Sequence, residues 1–364
     1  MNPQIPPPRP RPLLAGEAVP WFRAKAIGGS SNYVFDTAAG RYMLMLFLGR
    51  GSDPGAAEAL ACVARHRGLF DDDHACFFGI TSDPEDEAAG RVAQQLPGIR
   101  FFLDPEGRLS ALFGAGPGER RHWLLVDPML RAVSAYPLKS GEAAVAALAK
   151  AMAHMPLPDW APVLMAPNIL EPDLCERLIA HHRETGGEPS GFMREVDGKT
   201  VMITDPAHKM RRDREIADET LCGALRARIL ARLVPMVKRA FQFEATRMER
   251  YIVGAYPAGK GHFRPHRDNT TKGTAHRRFA VTINLNSGDY DGGDLRFPEF
   301  GRRTYRAPTG GAVVFSCSML HEATPVTRGT RYAFLPFLYD DAAARLREEN
   351  NPHLGEGVGA YKAG

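Results

Sequence analysis

Two patterns of hydrophobic residues divide the chain. From about residue 20 to 154, short apolar runs alternate with segments of helical periodicity, which is typical of an α/β layered domain. The runs predict strands at 41–48, 75–80, 99–103 and 122–126. Helices are predicted at 54–68, from about 85, and at 141–154. From about Thr246 onward, short strands with Gly-rich turns follow two predicted amphipathic helices, 172–185 and 216–241, and indicate a β-barrel-like sandwich with outer helices.

A proline-rich segment separates the two patterns. Pro156, Pro158 and Pro162 fall within residues 155–163, and proline both stops helices and stiffens an extended path. We therefore expect two domains with separate cores. The predicted layout is a Pro-rich leader 1–19, a first domain 20–154, a linker 155–167, a second domain 168–340 and a tail 341–364.

Length, composition and charge fit this two-domain layout and argue against several classes of protein. A chain of 364 residues with 44% hydrophobic and 24% charged residues is expected to fold as a globular protein. The formal charge of +4, without Lys/Arg tracts, argues against a nucleic-acid partner. The chain has no apolar run long enough for a membrane helix and no apolar signal-peptide core, so we expect a cytoplasmic protein with no membrane partner. Five dispersed cysteines predict reduced, buried thiols.

The first domain resembles the thioredoxin fold, in its peroxiredoxin branch, over about 135 residues. That chemistry requires Pro-x-x-x-Thr/Ser-x-x-Cys after the first long strand, where a helix N-terminus favours a thiolate. Counting from Pro54, the Thr/Ser position is Glu58 and the Cys position is Ala61. Cys62 lies one residue further, about 100° round the helix. We expect a non-catalytic scaffold, with a thiol peroxidase as the alternative. The resemblance also favours a homodimer.

The second domain contains a candidate metal-binding pattern. His266 and Asp268 are two residues apart, which would place both on one face of a strand. His321 lies 55 residues later, within a second strand-like segment. Two imidazoles and one carboxylate form the facial triad that suits Fe(II) with open coordination positions. An isolated H-x-D pattern also occurs by chance among surface residues, so the neighbouring sequence matters.

Neighbouring residues strengthen that interpretation. Arg331 stands ten residues after His321 among apolar residues, and an inward-facing guanidinium can grip a carboxylate with two hydrogen bonds. Residues 278–286 and 290–298 alternate in polarity around Gly292-Gly293 and predict a returning hairpin.

These motifs together resemble the 2-oxoglutarate/Fe(II) oxygenase superfamily, in its prolyl 4-hydroxylase-like branch, over roughly residues 162–340. The resemblance implies a double-stranded β-helix (jelly roll) with flanking helices, and a dioxygenase that releases succinate and CO₂ while hydroxylating a peptidyl residue, an amino acid or a small metabolite. It implies Fe(II) and 2-oxoglutarate as cofactors, O₂ as cosubstrate and ascorbate as a reductant. Arg331 would bind the distal carboxylate of 2-oxoglutarate, and Tyr256 matches a tyrosine that reaches this cosubstrate. Asn284 falls where some relatives carry a second such tyrosine.

Two questions stay open at this point. A non-catalytic metal-binding barrel fused to a docking domain would also explain the triad, although it would not need Arg331. The segment 186–215 shows no sustained periodicity and is expected to be a long loop or loose hairpin, either a lid over the substrate or a solvated connector. If it is a lid, Phe192, Met193, Lys209, Arg211 and Arg212 would lie near the substrate entrance and favour an acidic or carboxylate-bearing substrate.

Overall fold

The computed structural model describes residues 11–117, 120–154 and 160–363. Its contacts divide the chain into two compact units. The N-terminal unit comprises Met1–Asp159 and Pro298–Gly301, and the C-terminal unit comprises Trp160–Phe297 and Arg302–Gly364. Residues 1–10 of the predicted leader and 155–159 of the predicted linker lie outside the described residues. Each unit is described separately below.

A five-stranded sheet forms the centre of the N-terminal unit. The strands of this unit are β1 (Arg23–Ala24), β2 (Tyr33–Val34), β3 (Tyr42–Gly49), β4 (Ala75–Thr81), β5 (Ile99–Leu103), β6 (His122–Val126) and β7 (Ala132–Pro137). The sheet order is β5-β4-β3-β6-β7, with β3, β4 and β5 parallel and β6 and β7 antiparallel to their neighbours. Almost every residue of β3 is buried, as expected for a central strand covered on both faces. The fold is thioredoxin-like, as predicted.

Helices cover this sheet. They are α1 (Ala56–Arg65), α2 (Glu85–Ala88), α3 (Arg108–Leu112) and α4 (Gly141–Ala153). Strands 99–103 and 122–126 and the start of the last helix agree with the predictions residue for residue, whereas β7 was not predicted. Residues 11–19, assigned to the leader, pack onto the unit: Leu13 and Val19 are buried, and the Val19 amide donates to the Leu130 carbonyl at 2.8 Å.

The C-terminal unit is built on two antiparallel sheets. Its first strands are β8 (Leu164–Ala166), β9 (Glu188–Pro189), β10 (Phe192–Val196), β11 (Lys199–Ile203), β12 (Lys209–Met210), β13 (Arg212–Glu215), β14 (Arg247–Glu249), β15 (Ile252–Pro257), β16 (His262–His266) and β17 (Phe279–Asn284). The others are β18 (Asp291–Gly292), β19 (Leu295–Arg296), β20 (Thr304–Tyr305), β21 (Ala312–Ser316), β22 (His321–Ala323), β23 (Val326–Arg328), β24 (Thr330–Phe334) and β25 (Phe337–Tyr339).

The larger sheet runs β14-β25-β17-β24-β15-β13-β9, with β21 joining β17 to β8. The smaller sheet runs β12-β16-β22-β19-β20. This is the predicted double-stranded β-helix. Residues 164–166, assigned to the linker, form the strand β8 of the larger sheet instead. A separate hairpin, β10–β11, turns at Asp197-Gly198, where both residues have positive φ. It belongs to the segment expected as a loop or loose hairpin.

Helices pack on the larger sheet. They are α5 (Pro172–Thr185), α6 (Glu219–Arg228), α7 (Val234–Phe241) and α8 (Asp341–Glu349). The single helix predicted at 216–241 is interrupted by a π-helical turn at Ile229–Leu233, just before Pro235, which has no backbone N–H to donate to the preceding turn. Residues 341–349, assigned to the tail, form α8. Among the described residues, no helix combines the length and apolar character needed to cross a membrane.

Candidate metal centre and carboxylate subsite

The structure brings the three predicted metal ligands together at the end of the smaller sheet. β16 and β22 are antiparallel neighbours, and His266 lies directly opposite His321. Asp268 differs from the prediction, because β16 ends at His266 and Asp268 occupies the turn that follows. Its amide donates to the Cys317 carbonyl at 3.0 Å, which fixes the turn beside β22. The aspartate is thus positioned by a turn and not by strand alternation.

The side chains of this triad point at one another. Asp268 Oδ1 lies 3.6 Å from His266 Nε2, and Asp268 Oδ2 lies 3.3 Å from His321 Nε2. The other ring nitrogens are engaged by backbone: His266 Nδ1 donates to the Arg264 carbonyl at 2.7 Å, and His321 Nδ1 donates to the Met319 carbonyl at 3.0 Å. A carbonyl accepts only, so each Nδ1 carries the proton and each Nε2 presents a lone pair. The ligand set fits a divalent iron ion.

Burial keeps these groups in the protonation states that metal binding requires. Burial, reinforced by the neighbouring His321, lowers the pKa of His266 to about 4, so its imidazole is neutral at neutral pH. Burial alone would raise the pKa of Asp268, but the two histidines lower it below its usual range and keep the carboxylate charged. The triad therefore offers a neutral His266 imidazole and the negative charge of Asp268.

A buried guanidinium in the same unit has donors without acceptors among the described residues. Arg331 is 2% exposed, and its Nε and Nη1 have no hydrogen-bond partner within the described chain. The Tyr290 hydroxyl is likewise buried and unpaired within the described chain. Both side chains line the space above Gly293, where an added Cβ would lie 3.3 Å from Arg331 Cδ and 3.6 Å from Tyr290 Cε2. A buried cation whose donors lack partners among the described residues, beside a hydroxyl in the same state, is the arrangement that could hold a carboxylate.

Tyr256 lies beside this subsite and is held by a second arginine. It stands opposite Arg331 in the pairing of β15 with β24, and the Arg331 guanidinium carbon is 4.9 Å from its ring centroid. Arg211 Nη1 donates to the Tyr256 hydroxyl at 3.1 Å. Arg211 itself is buried and forms a two-bond ion pair with Asp213, at 2.5 and 2.7 Å. Its charge is compensated internally, so Arg211 orients Tyr256 and is not a free substrate contact.

The other predicted substrate residues fall into two groups. The Phe192 ring lies 4.5 Å from His208 and 6.4 Å from Phe263, and the Phe263 ring stacks on the His266 imidazole at 3.4 Å. Phe192 thus belongs to an aromatic group that reaches the triad. Arg212 does not: its Nε and Nη2 donate to the carbonyls of Gly186 and Gly187, at the C-terminus of α5.

Lys209 and Asn284 are engaged by the chain itself. Lys209 is 4% exposed, its Nζ donates to the Gly191 carbonyl at 2.6 Å, and it lies 4.7 Å from the Phe263 ring centroid. Asn284 Nδ2 donates to the Ala307 carbonyl at 2.9 Å, which leaves only its amide oxygen unpaired within the described chain. A carbonyl oxygen cannot donate to a carboxylate, so the geometry favours a structural role for Asn284.

Three features were missed in the sequence. Tyr290 was seen only as part of the hairpin segment, although a tyrosine two residues before the Gly292-Gly293 turn was a usable signal. The Asp197-Gly198 dipeptide is a strong type I′ hairpin signal and would have placed β10 and β11 correctly. Asp213 had no sequence signal that we can identify, because its partner Arg211 is defined only by the fold.

Comparison with known families agrees with this geometry. Residues 249–339 match the family model described as the 2OG-Fe(II) oxygenase superfamily. This segment of the C-terminal unit is therefore similar to that superfamily. The match includes Tyr256, the triad, Tyr290 and Arg331, so every residue of the metal centre and carboxylate subsite lies inside it. The family name itself implies Fe(II) and 2-oxoglutarate (2OG).

Curated relatives of this oxygenase domain include PKHD-type hydroxylases. One from Synechococcus sp. (strain JA-2-3B'a(2-13)) is 32% identical over 88 residues, which cover 22% of this chain and 39% of that protein. Another from Nitrobacter winogradskyi is 47% identical over 47 residues, which cover 13% of this chain and 21% of that protein. The chain therefore spans well under half the length of these relatives.

Solved structures resemble both units. A Pseudomonas putida prolyl-4-hydroxylase aligns with 49% of this chain and 92% of its own, at 20% identity and a TM-score of 0.36. Peroxidoxin BcpB from Mycobacterium tuberculosis aligns with 38% of this chain and 97% of its own, at 17% identity and a TM-score of 0.32.

Proposed function

We propose that this chain is an Fe(II)- and 2-oxoglutarate-dependent dioxygenase that hydroxylates a peptidyl residue, an amino acid or a small metabolite and releases succinate and CO₂. The observation that carries the proposal is the buried Arg331 guanidinium, two of whose donors have no partner among the described residues, in the unit that also brings three metal-type ligands together. A non-catalytic metal-binding barrel would have no reason to keep an uncompensated buried charge, which is costly to stability. The PKHD-type hydroxylase relatives support the same reaction class.

In this proposal each residue has a defined task. His266, Asp268 and His321 hold Fe(II), and their Nδ1 hydrogen bonds keep both Nε2 atoms aimed at it. Arg331 and Tyr290 bind the distal carboxylate of 2-oxoglutarate. Bound iron would supply open coordination positions for the cosubstrate and for O₂, and the redox chemistry that couples them.

The aromatic group formed by Phe192, His208 and Phe263 borders the triad and would exclude water on the substrate side. Burial, followed by the positive charge of Arg194, lowers the pKa of His208 to about 4, so its ring is uncharged. Arg194 and Arg264 are both exposed beside it. These two exposed cations support an acidic or carboxylate-bearing substrate, in place of the predicted Arg211 and Arg212.

Binding and turnover are tested separately. Anaerobic addition of Fe(II) and 2-oxoglutarate to the full chain should give the visible charge-transfer band of an iron–2-oxoglutarate chelate. A screen of peptide and metabolite pools, with ascorbate as reductant, should then identify a pool that stimulates succinate release. A chain that binds Fe(II) but gives no band at saturating 2-oxoglutarate would be the non-catalytic barrel, and the proposal would be wrong.

A further inference from the structure

A second group of metal-type donors lies in the N-terminal unit. Cys62 and His66 are four residues apart at the C-terminal end of α1, so they share one face of the helix. Glu142 is in the first turn of α4. The thiol sulfur, a ring nitrogen of His66 and a carboxylate oxygen of Glu142 all lie within 4.8 Å of one another. Three donors of different kinds thus converge from two helices.

The contacts within this group leave one oxygen of the Glu142 carboxylate facing His66 and Cys62. His66 Nε2 lies 2.8 Å from Glu142 Oε2, and the Cys62 thiol also hydrogen-bonds to Glu142. Arg65 Nη2 donates to the other oxygen, Oε1, at 2.8 Å, and to Glu58 at 2.9 Å. Because Arg65 occupies Oε1, it orients the carboxylate and leaves Oε2 facing the imidazole and the thiol.

The packing gives the sulfur room and gives the group access to solvent. A Cβ added at Gly141 would lie 3.1 Å from Cys62 Sγ and 3.0 Å from the Trp123 ring, so glycine is what lets α4 begin beside the sulfur. Cys62 is 2% exposed, whereas the His66 and Glu142 side chains are 37% and 61% exposed. An ion can therefore enter from the His66 and Glu142 side and meet the sulfur at the inner end.

We propose that Cys62, His66 and Glu142 form a binding site for a divalent transition-metal ion of the Zn²⁺ class, with water completing the coordination. Thiolate, imidazole and carboxylate are the three ligand types that Zn²⁺ accepts, and four-coordinate tetrahedral geometry is its usual choice. With ligand bonds of about 2.0 Å, two tetrahedral donors stand roughly 3.3 Å apart. His66 Nε2 and Glu142 Oε2, now 2.8 Å apart, need only a small rotation of two partly exposed side chains.

Metal binding at this site replaces the proton on the Cys62 sulfur with the metal ion. The Cys62 S–H bond breaks, a sulfur–metal bond forms, and the proton leaves to bulk water, so no oxidant or reductant is required. The ion would tie α1 to α4 and would engage the Cys62 sulfur as a ligand. The site is separate from the metal centre of the oxygenase domain and does not depend on the function proposed for it.

Cobalt(II) provides the test, because a thiolate ligand gives Co²⁺ an intense near-ultraviolet charge-transfer band that nitrogen and oxygen ligands do not. Titrating the full chain with Co²⁺ under reducing conditions should give this band, with about two Co²⁺ bound per chain. Cys62→Ala should remove the band and one equivalent. His66→Gln and Glu142→Gln, which change partly exposed side chains, should each weaken Co²⁺ binding at this site at least tenfold.

Two matched variants make the result specific. Cys222→Ala removes another buried helical cysteine and should keep the band, as should His321→Ala, which removes a ligand of the other metal centre. The proposal is overturned if the wild-type chain gives no thiolate band. It is equally overturned if the band survives in Cys62→Ala, or if His66→Gln and Glu142→Gln both leave the affinity unchanged.

Discussion

The two donor groups of this chain differ in how their polar atoms are satisfied. In the N-terminal unit, Cys62 and His66 each hydrogen-bond to Glu142, and Arg65 donates to the same carboxylate. In the C-terminal unit, the triad is accompanied by Arg331 and Tyr290, whose buried donors find no acceptor among the described residues. The polar atoms of the N-terminal group are therefore partnered without a ligand. The proposed function leaves the C-terminal donors to be partnered by the carboxylate of 2-oxoglutarate.

The largest effect is expected at the triad. His266→Ala, Asp268→Ala and His321→Ala should each lower succinate release by at least about 100-fold, because each removes one bond to iron. The melting temperature of the metal-free protein should change little, since strand pairing uses backbone groups only. Turnover and bound iron are measured together, with His353→Ala as a control histidine in the same unit. Full activity in any two of the triad variants would refute the ligand assignment.

Arg331→Ala should raise the KM for 2-oxoglutarate by roughly 30- to 700-fold, because a buried carboxylate loses a charge-assisted pair worth on the order of 2–4 kcal/mol. Arg328→Ala, an exposed arginine three residues earlier that pairs with Asp291, is the matched control. An unchanged KM would place the cosubstrate anchor elsewhere.

Arg331 also allows the difference between the two donor groups to be tested by measuring the stability of the protein with and without 2-oxoglutarate. A 2-oxoglutarate concentration about 100-fold above Kd should stabilise the metal-loaded wild type by about 2.7 kcal/mol. Arg331→Met should lose that stabilisation, while its ligand-free form should melt no lower than the ligand-free wild type, since an unpaired buried charge is removed. A strongly destabilised ligand-free variant would show that Arg331 is already satisfied.

Tyr290→Phe should have a smaller effect. Removing one hydroxyl from the carboxylate subsite is expected to raise the KM for 2-oxoglutarate about 10- to 150-fold, from the loss of one hydrogen bond to a charged group, worth about 1.5–3 kcal/mol. Because kcat should stay close to that of the wild type, steady-state kinetics separate this outcome from a general defect. Wild-type kinetics in Tyr290→Phe would remove the hydroxyl from the subsite.

The rate of trypsin cleavage in the hairpin β10–β11 tests whether this hairpin closes over bound substrate. Arg194 and Lys199 are exposed on it and are trypsin sites. If the hairpin is a lid, cleavage there should slow several-fold when metal, 2-oxoglutarate and true substrate are all present, and not with metal alone. Mass mapping of the fragments measures this. Identical cleavage under all conditions would make the hairpin a connector.

The smallest effect is expected at Cys62. Burial, with the nearby Glu142 carboxylate, raises the pKa of this thiol to about 11, so little thiolate exists at neutral pH. Cys62→Ser should leave oxygenase turnover within about twofold of the wild type, and the wild type should not reduce peroxide with thiol donors. Rapid peroxide consumption that depends on Cys62 would contradict this prediction.

The sequence predicted what depends on local periodicity and on spaced motifs. The order of strands and helices in the N-terminal unit follows from apolar runs, and His266, Asp268 and His321 follow from their spacing within strand-like segments. The reason given for Asp268 was wrong, because strand alternation does not apply beyond His266. No local pattern marks where a strand stops when the next residues are held by another strand's backbone.

Other site features depend on contacts between distant segments. Arg211 reads as a charged surface residue, yet the fold buries it with Asp213 and Tyr256. The unpaired state of Arg331 cannot be seen in a sequence either, because it depends on every other side chain around it. Arg194 and Arg264 gained interest only when the structure left them exposed near His208.

One consequence concerns the order in which the chain can assemble. Thr200 of β11 accepts a hydrogen bond from the Gly355 amide at 2.8 Å, and Lys199 Nζ donates to the Pro352 carbonyl at 2.5 Å. These partners are about 150 residues apart, and contacts of such separation form late because a long loop must close first. During synthesis, the hairpin beside the metal centre gains this support only after residues 352–355 have left the ribosome. A chain released before that point would contain all three metal ligands of the triad. Its β10–β11 hairpin would lack the hydrogen bonds to residues 352–355.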